Sequence, residues 1–308
     1  MTQTPCPKYG LFVGMTTLDC IYQAERPPRA NEKVVASKSL LVAGGPATNA
    51  AVAFAQLGAS LGHRATLASV LGVHPLTTLL REDLQSQGVI LADLDPDRLA
   101  PPPVSSIVVS AGTGDRAVIA RSADHTTLEA PRLSSDTLAG IDIILIDGHQ
   151  MAVGAQIAQV AKAKQIPVVV DAGSWKPDFE TVLASADVVI ASANFFPPGC
   201  TTAQDVLAYL TSLGVTQIAI TRGAEAVIYA SADERGEIEV PQVRAVDTLG
   251  AGDIFHGAFC HFYLTHTFEQ ALLKASRSAS FACQYWGTRD WTKIYHIVDE
   301  SEDEETEN

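Results

Sequence analysis

Short apolar runs that alternate with helical stretches between residues 140 and 230 constrain the fold of this chain more than any other feature. Each run is apolar throughout, which is typical of strands that helices cover on both faces. Strands that alternate with helices predict βαβ units and a mostly parallel sheet, so we expect a three-layer α/β/α core. The predicted strands are residues 141–147, 168–171, 188–190 and 218–221, and a predicted helix covers 203–213.

Polar residues stand at or shortly after the ends of these predicted strands: Asp147, Asp171, Asn194 and Thr221. In open parallel sheets, ligands bind beyond the carboxyl ends of the strands. The four side chains are therefore candidates for one crevice. Asp and Asn also favour strand ends and turns for local reasons, so each residue alone has an ordinary structural explanation as well.

Two segments, residues 32–42 and 104–122, do not belong to this alternation of strands and helices. The second contains a hairpin pattern, AGTGD, between SSIVVS and RAVIARS. Together they predict a small antiparallel sheet. Such a sheet can form a lid that excludes water from a reaction in the crevice. We expect residues 15–43 and 104–122 to contribute this lid.

Composition limits the class of protein. The chain has 308 residues, of which 47% are hydrophobic, so one large domain over residues 1–298 can bury a core. Residues 299–308, DESEDEETEN, are predicted to be a disordered acidic tail. The net charge of −14 argues against a nucleic-acid partner.

The cysteines and the apolar runs bear on location. No run approaches the length of a membrane span, and the first residues lack the pattern of an export signal. The five cysteines show no ligand spacing and are predicted to be reduced thiols, which favours a cytoplasmic protein with no membrane partner. They are Cys6, Cys20, Cys200, Cys260 and Cys283.

The segment VDTLGAGDIFHGAF at residues 246–259 carries the chemistry. Apolar residues recur at helical spacing after Gly252, which predicts a buried helix that begins near this glycine. The free amides at the start of a helix and its dipole favour an anion, and Gly250 and Gly252 let a phosphate approach closely. The sequence therefore predicts an anion site here.

Asp253 lies beside that predicted anion site. A carboxylate beside a bound anion is electrostatically unfavourable, which indicates a chemical role such as accepting a proton from an attacking hydroxyl. Alternatively, Asp253 is an ordinary first-turn acid that complements the helix dipole. His256 is predicted to be a packed or exposed helix residue. No GxxxxGK[ST] motif occurs, which excludes a P-loop.

The residues DTLGAGDIFHGAF resemble the DTxGAGDxFxGAF signature of the PfkB, or ribokinase-like, carbohydrate kinases. VAGGPATNAAVAFAQL at residues 42–57 resembles the second signature of that family. The resemblance extends to the acidic tail and implies a ribokinase-like α/β fold with a β-sheet lid, ATP as cosubstrate and sugar phosphorylation. By this resemblance, Asp253 is the catalytic base, and the amides of Gly250, Ala251 and Gly252 form the anion hole.

The resemblance also implies the residues that contact the sugar and the nucleotide. Asp19 matches the family acid that binds sugar hydroxyls, and Gly44, Gly45 and Asn49 match further substrate contacts. The nucleotide contacts implied are Asn194, Thr221, Gly223, Asp247 and Thr248.

The family's NxxE element departs from its pattern here, because the sequence reads NFFP and Pro197 replaces the acid. Mg²⁺ that bridges the ATP phosphates is still implied, but its protein ligands are left unassigned. A monovalent cation such as K⁺ near Asp247 and Thr248 is implied by family analogy.

The NFFP departure, the LGAGD wording and IDGHQ at residues 146–150 resemble the ketohexokinase-like and sulfofructose-kinase-like branch. The acceptor implied is the primary hydroxyl of a ketose or ketose derivative, in a pocket shaped partly by Asp147, His149 and Asp171. A nucleoside kinase of the same fold and an inactive sugar- or nucleotide-binding homologue remain alternatives. Exposed lid strands also favour a homodimer through the lids.

Overall fold

The computed structural model describes residues 6–120, 127–128, 137–232 and 234–295. The acidic tail and the last two residues of the predicted hairpin strand lie outside them. The described strands are β1 (Tyr9–Val13), β2 (Thr17–Ala24), β3 (Lys38–Gly44), β4 (Arg64–Ser69), β5 (Val89–Asp93), β6 (Val104–Ser110), β7 (Arg116–Ala120), β8 (Ile143–Ile146), β9 (Val168–Ala172), β10 (Val188–Ser192), β11 (Gln217–Arg222), β12 (Glu225–Ala230) and β13 (Arg235–Ile238). The α-helices are α1 (Pro46–Leu57), α2 (Leu76–Ser86), α3 (Met151–Lys164), α4 (Phe179–Leu183), α5 (Ala203–Ser212), α6 (Ala251–Tyr263) and α7 (Phe268–Ala282).

The large sheet has nine strands in the order β13-β12-β11-β10-β9-β8-β1-β4-β5. All pairings from β5 to β11 are parallel, while β12 and β13 add an antiparallel hairpin at one edge. The predicted strands of the second half correspond to β8, β9, β10 and β11. The mostly parallel sheet predicted from the apolar runs is confirmed.

Successive side chains of a strand point to opposite faces of the sheet. Both faces are buried along the central strands β1, β8, β9 and β10. In β8, Leu145 belongs to the core cluster that contains buried residues of α1, α2, α6 and α7, whereas Ile144 and Ile146 belong to the cluster that contains those of α3, α4 and α5. The core is therefore three layers thick, as predicted.

Helices α1 and α6 approach very closely. A Cβ atom on Gly257 of α6 would lie 2.2 Å from the carbonyl oxygen of Ala50 on α1. Real Cβ atoms do not tolerate such a distance, so glycine is required at this crossing. The small-residue sequence of α1 and Gly257 together bring the starts of both helices to the same edge of the sheet.

The second sheet has four strands in the order β3-β2-β6-β7. Its outer pairings are antiparallel, as predicted, but β2 pairs with β6 in parallel. The first predicted segment of this sheet, residues 32–42, is only partly a strand. Strand β3 begins at Lys38, and residues 32–37 are not part of a strand. One face of this lid is closed against Leu249 and Trp286 of the core by Ile21, Val42, Ile107 and Val109. Within the described residues, no helix has the length and apolar character needed to cross a membrane.

Candidate active site

The start of α6 forms the centre of the site. Gly250 is the N-cap in the left-handed region, with φ at 72°, and the helix begins at Ala251, one residue before the predicted position. The Ala251 amide donates weakly to Thr248 O at 3.4 Å. The amides of Gly252 and Asp253 lie in the first turn, where a helix supplies no backbone acceptor. Space beside Gly252 is open, so an anion can reach them.

Asp253 is partly buried at this helix start and has one defined partner. Asn49 Nδ2 donates to its Oδ2 at 2.8 Å. Burial raises the pKa of Asp253 to about 7, and the negative charge of Asp171 adds to this rise. The Asn49 hydrogen bond and His256 act in the opposite direction, while Asp19 raises the pKa further. Asp253 can therefore exchange a proton near neutral pH.

Arg289 supports Asn49 and was not predicted from the sequence. Its Nη1 donates to Asn49 Oδ1 at 3.0 Å, and its Nη2 donates to Ala43 O and to Asp83 Oδ2 at 3.2 Å. Arg289 is only 7% exposed. It stands in GTRDW, where no repeat or ligand spacing distinguishes it from a surface arginine.

Asp19 lies inside lid strand β2. Thr17 Oγ1 donates to its Oδ1 at 2.6 Å. Burial raises the pKa of Asp19, while hydrogen bonds from Thr17 and Ser105 and the charge of Arg289 lower it. A Cβ atom on Gly44 would lie 1.9 Å from Asp19 Oδ2, so this glycine makes room for the carboxylate.

Gly45 and Asn49 lie where β3 passes into α1. Gly45 is the N-cap of α1, with φ at 103° in the left-handed region. Asn49 lies in the first turn of that helix and is 4% exposed. The predicted sugar-contacting residues thus converge from β2, β3 and α1 on the start of α6.

Asp147 is a structural acceptor at the end of β8. Its Oδ2 accepts from the amides of Met15 at 2.9 Å and Ala47 at 3.2 Å, and its Oδ1 accepts from the His149 amide at 2.9 Å. These bonds join the β1–β2 turn, the start of α1 and the loop before α3. Asp147 therefore holds these three segments of the site together.

Asp171 and His256 form a buried pair beneath Asp253. His256 Nε2 lies 3.6 Å from Asp171 Oδ1 and 3.4 Å from Ile190 O. Burial raises the pKa of Asp171, and the charge of Asp147 does so too, whereas His256 lowers it. His256 is packed, which was one of its two predicted environments.

A cavity of about 420 Å³ opens on the other side of the α6 start. Its walls come from the β11–β12 turn, residues 240–245 and helices α6 and α7, and they include the predicted residues Thr221, Gly223, Thr248, Ala251 and Gly252. The remaining lining residues are Arg116, Ala224, Val227, Val240, Pro241, Gln242, Val243, Ala245, Phe255, Ser276, Ala279, Ser280 and Cys283. Because several residues predicted to contact a nucleotide line it, we call this cavity the nucleotide cleft.

Two predicted nucleotide contacts do not line the nucleotide cleft. Asp247 is buried, and its two carboxylate oxygens accept from the amides of Leu249 and Gly287, each at 2.9 Å. These bonds tie the loop before α6 to the segment at Gly287. Asn194 is exposed just beyond β10, and Pro197 of the same NFFP segment is buried. Among the described residues, no cluster of three His, Cys, Asp or Glu side chains is arranged to hold a metal ion.

Arg116 connects the lid to the glycine-rich loop and was not predicted from the sequence. This residue of β7 donates from Nη1 to Thr248 O and to Thr248 Oγ1, each at 3.2 Å. It also lines the nucleotide cleft. A lid strand thereby places a positive charge beside the anion site.

Comparisons with known proteins agree with this architecture. A family model described as "pfkB family carbohydrate kinase" matches residues 8–294. The ribokinase of Bacillus subtilis (strain 168) is 24% identical over 295 residues, which cover 94% of this chain and 97% of the relative. The fold is ribokinase-like, as the sequence predicted.

Two solved structures cover nearly the whole chain. A protein of Agrobacterium tumefaciens, provisionally described as a ribokinase, superposes with a TM-score of 0.84 at 26% identity and covers 98% of this chain and 99% of its own. The Arabidopsis thaliana ribokinase complexed with ribose and ATP superposes with a TM-score of 0.72 at 22% identity and covers 94% and 98%.

Proposed function

Since this chain belongs to the pfkB family of carbohydrate kinases and is an ATP-dependent sugar kinase, we propose that Asp253 is its general base. Asp253 takes the proton of a sugar hydroxyl as that oxygen bonds to the γ-phosphorus of ATP. The bond from this phosphorus to the β–γ bridging oxygen breaks, and the products are a sugar phosphate and ADP. The observation that carries the proposal is Asp253 in the first turn of α6, beside the open space at Gly252.

The nucleotide cleft is the proposed ATP site. Apolar walls such as Val227, Val240 and Val243 suit a purine base. The phosphates then extend toward the amides of Gly252 and Asp253, which stabilise negative charge as it develops. Arg116 adds a positive charge at the same place.

Mg²⁺ is proposed to arrive with ATP. The described residues fit an ion that is held mainly by phosphates and water, since NFFP supplies no carboxylate at the family position. When bound, Mg²⁺ neutralises phosphate charge during transfer. A K⁺ ion near Asp247 and Thr248 stays a prediction, and the Asp247 carboxylate already accepts two backbone amides.

The acceptor is proposed to be a small sugar held by Asp19, Asn49 and the glycines at positions 44 and 45. Ribose is the first sugar to test, because the relatives that match over most of this chain are ribokinases. A ketose or ketose derivative is the acceptor that the sequence itself favours, through its resemblance to the ketohexokinase-like branch. Both classes offer a primary hydroxyl that Asp253 can deprotonate.

A homodimer through the lids and a cytoplasmic location are proposed from the sequence. The outer face of the lid supports the dimer, because Tyr22, Leu41 and Ile119 are 42%, 56% and 78% exposed on it. Exposed apolar residues on strands favour association. Sedimentation of wild type and of Ile119→Lys measures this. A monomeric wild type contradicts the dimer.

ADP release from Mg-ATP tests the function. The acceptor panel holds ribose, other pentoses, ketoses, ketose derivatives and nucleosides, and each is assayed with wild type and Asp253→Asn. We expect one sugar to turn over and the variant to lose roughly 10³-fold or more in kcat while it still binds ATP. Turnover of a nucleoside instead would change the acceptor class. ATP binding without turnover would favour the inactive homologue.

A further inference from the structure

We propose that Arg289 is a positioning residue that locks the side-chain amide of Asn49 in the orientation that holds Asp253. This inference rests on the proposed function, because it concerns the same carboxylate. The hydrogen-bonded path from Arg289 to Asp253 runs through Asn49, with bonds of 3.0 Å from Arg289 Nη1 to Asn49 Oδ1 and 2.8 Å from Asn49 Nδ2 to Asp253 Oδ2.

The chemistry of the three groups permits one amide orientation. A guanidinium only donates hydrogen bonds, and an ionised carboxylate only accepts them. Asn49 must therefore turn its oxygen to Arg289 and its NH₂ group to Asp253. A reversed amide would place NH₂ against the guanidinium and oxygen against the carboxylate, so both bonds would be lost. A protonated Asp253 can donate a hydrogen bond to the oxygen of a reversed Asn49 amide. In that state, Arg289 is the group among these contacts that disfavours the reversed orientation.

Arg289 is itself held on several sides, which makes it a rigid support. Its Nη1 also donates to Thr288 Oγ1 at 2.9 Å, and its Nη2 donates to Ala43 O and to Asp83 Oδ2. Asp83 on α2 accepts in addition from the Ala43 amide at 3.0 Å. A network thus runs from α2 through Arg289 and Asn49 to Asp253. The planar fork of arginine can make these bonds at once, whereas lysine offers a single nitrogen.

Arg289 also offsets the negative charge around Asp253. The charged or titratable groups that face Asp253 are Asp171 from β9, Asp19 from β2 and His256 from the next turn of α6. Arg289 is attracted to both Asp19 and Asp253 and carries its charge at all working pH values. Its removal would leave carboxylates facing one another with less compensation.

The test measures the titration of Asp253 directly. The Asp253 carboxyl carbon is followed by NMR in protein labelled with ¹³C-aspartate, and its signal is assigned by its loss in Asp253→Asn. We expect Arg289→Gln to raise the pKa of Asp253 by about half to one unit. Asp83→Asn keeps the shape of the network but removes a negative charge behind Arg289. It should therefore lower the pKa of Asp253 by a few tenths of a unit.

Kinetics separate positioning from charge. Arg289→Lys retains the charge and loses the fork, so the pKa of Asp253 should stay near the wild-type value while kcat falls roughly 10- to 100-fold. The ATP KM should not change, since Arg289 does not line the nucleotide cleft. The matched control is Arg81→Gln, which removes an ion pair to Asp93 outside this network. The control should lower the melting temperature only.

Each outcome decides the inference. A folded Arg289→Gln variant with an unchanged Asp253 titration would overturn it and leave Arg289 a structural residue. If that variant does not fold, an unshifted titration in Asp83→Asn overturns it instead. The NMR titration needs no turnover. A wild type without sugar-dependent ADP release would therefore refute the proposed function, and the titration would still test the role of Arg289 at Asp253.

Discussion

The two sides of the α6 N-terminus are built in different ways. On the acceptor side, Asp253 is held by Asn49, Asn49 is held by Arg289, and Asp19 accepts a bond of 2.6 Å from Thr17. On the nucleotide side, the cleft of about 420 Å³ has mainly apolar walls, and the Thr221 hydroxyl is directed to a carbonyl oxygen of β10. The acceptor side is therefore ordered by hydrogen bonds, and the nucleotide side by shape.

This difference matches the demands of phosphoryl transfer. The proton-accepting group must be aligned with the attacking oxygen, so it benefits from partners that restrict its side chain. A purine base needs buried apolar area and few directed contacts. A change on the acceptor side should therefore lower kcat, and a change on the nucleotide side should raise the KM of ATP.

Among changes outside the residues that contact the substrates, Gly257→Ala is expected to have the largest effect, because it would disrupt the acceptor side. The added Cβ would lie 2.2 Å from Ala50 O and 2.8 Å from Ala53 Cβ, so α1 must move away from α6. Asn49 moves with α1 and loses its bond to Asp253. We expect a loss of about 3 kcal/mol in the free energy of unfolding and of roughly 100-fold in kcat. Urea unfolding and steady-state kinetics measure the two effects.

Gly252→Ala is the matched control, because it adds the same methyl group to the same helix. No atom lies within 4 Å of a Cβ there, so the free energy of unfolding should stay within about 0.5 kcal/mol of wild type. Activity should still fall, since the methyl group occupies the approach of the phosphate. Equal stability losses in the two variants would contradict the close packing of α1 and α6.

A smaller effect is expected from His261, which extends the comparison along α6 away from the catalytic residues. Burial lowers the pKa of His261 to about 3, and the neighbouring His63, His266 and Lys274 act in the same direction. The unfolded chain binds a proton near pH 6.5, so this contribution to stability is complete above that pH and is lost between pH 6.5 and 3. The folded protein should be about 1 to 2 kcal/mol less stable at pH 4.5 than at pH 6.5 through this residue.

His261→Leu removes the titrating group and should flatten the dependence of stability on pH in that window. Thermal unfolding between pH 4.5 and 7.5 measures it. His74→Gln serves as the control, because His74 lies in the loop before α2 and is not among the groups that shift the pKa of His261. If the wild-type and His261→Leu curves stay parallel, His261 is not held neutral by burial.

Prediction from sequence succeeded where a local pattern fixes the structure. Strands β8 to β11 are mostly buried and are therefore written as continuous apolar runs, so the positions of these runs located the strands within a few residues. The start of α6 was located within one residue, because the glycines and the helical spacing coincide there. The predicted hairpin of β6 and β7 is likewise present.

Prediction failed where contacts between distant segments decide the structure. Lid strand β2 pairs in parallel with β6, more than 80 residues later, and nothing in either segment specifies that partner. Arg289 has no distinctive neighbours in sequence, and its role follows only from Asn49 and Asp83 meeting it in space. The bonds from the backbone amides of Leu249 and Gly287 to the Asp247 carboxylate were likewise not foreseen, while a contact of Asp247 with the nucleotide stays a prediction.

The smallest effect is expected on the nucleotide side, from Ala279→Leu. Ala279 lies on α7 and contributes a small side chain to the wall of the nucleotide cleft. A larger side chain there reduces the space for the base without touching Asp253, Asn49 or Arg289. We expect the ATP KM to rise about fivefold, which corresponds to about 1 kcal/mol, with kcat for the sugar unchanged. A fall in kcat at constant ATP KM would mean that the cleft and the acceptor side are coupled, because the wall of a separate binding site acts on affinity alone.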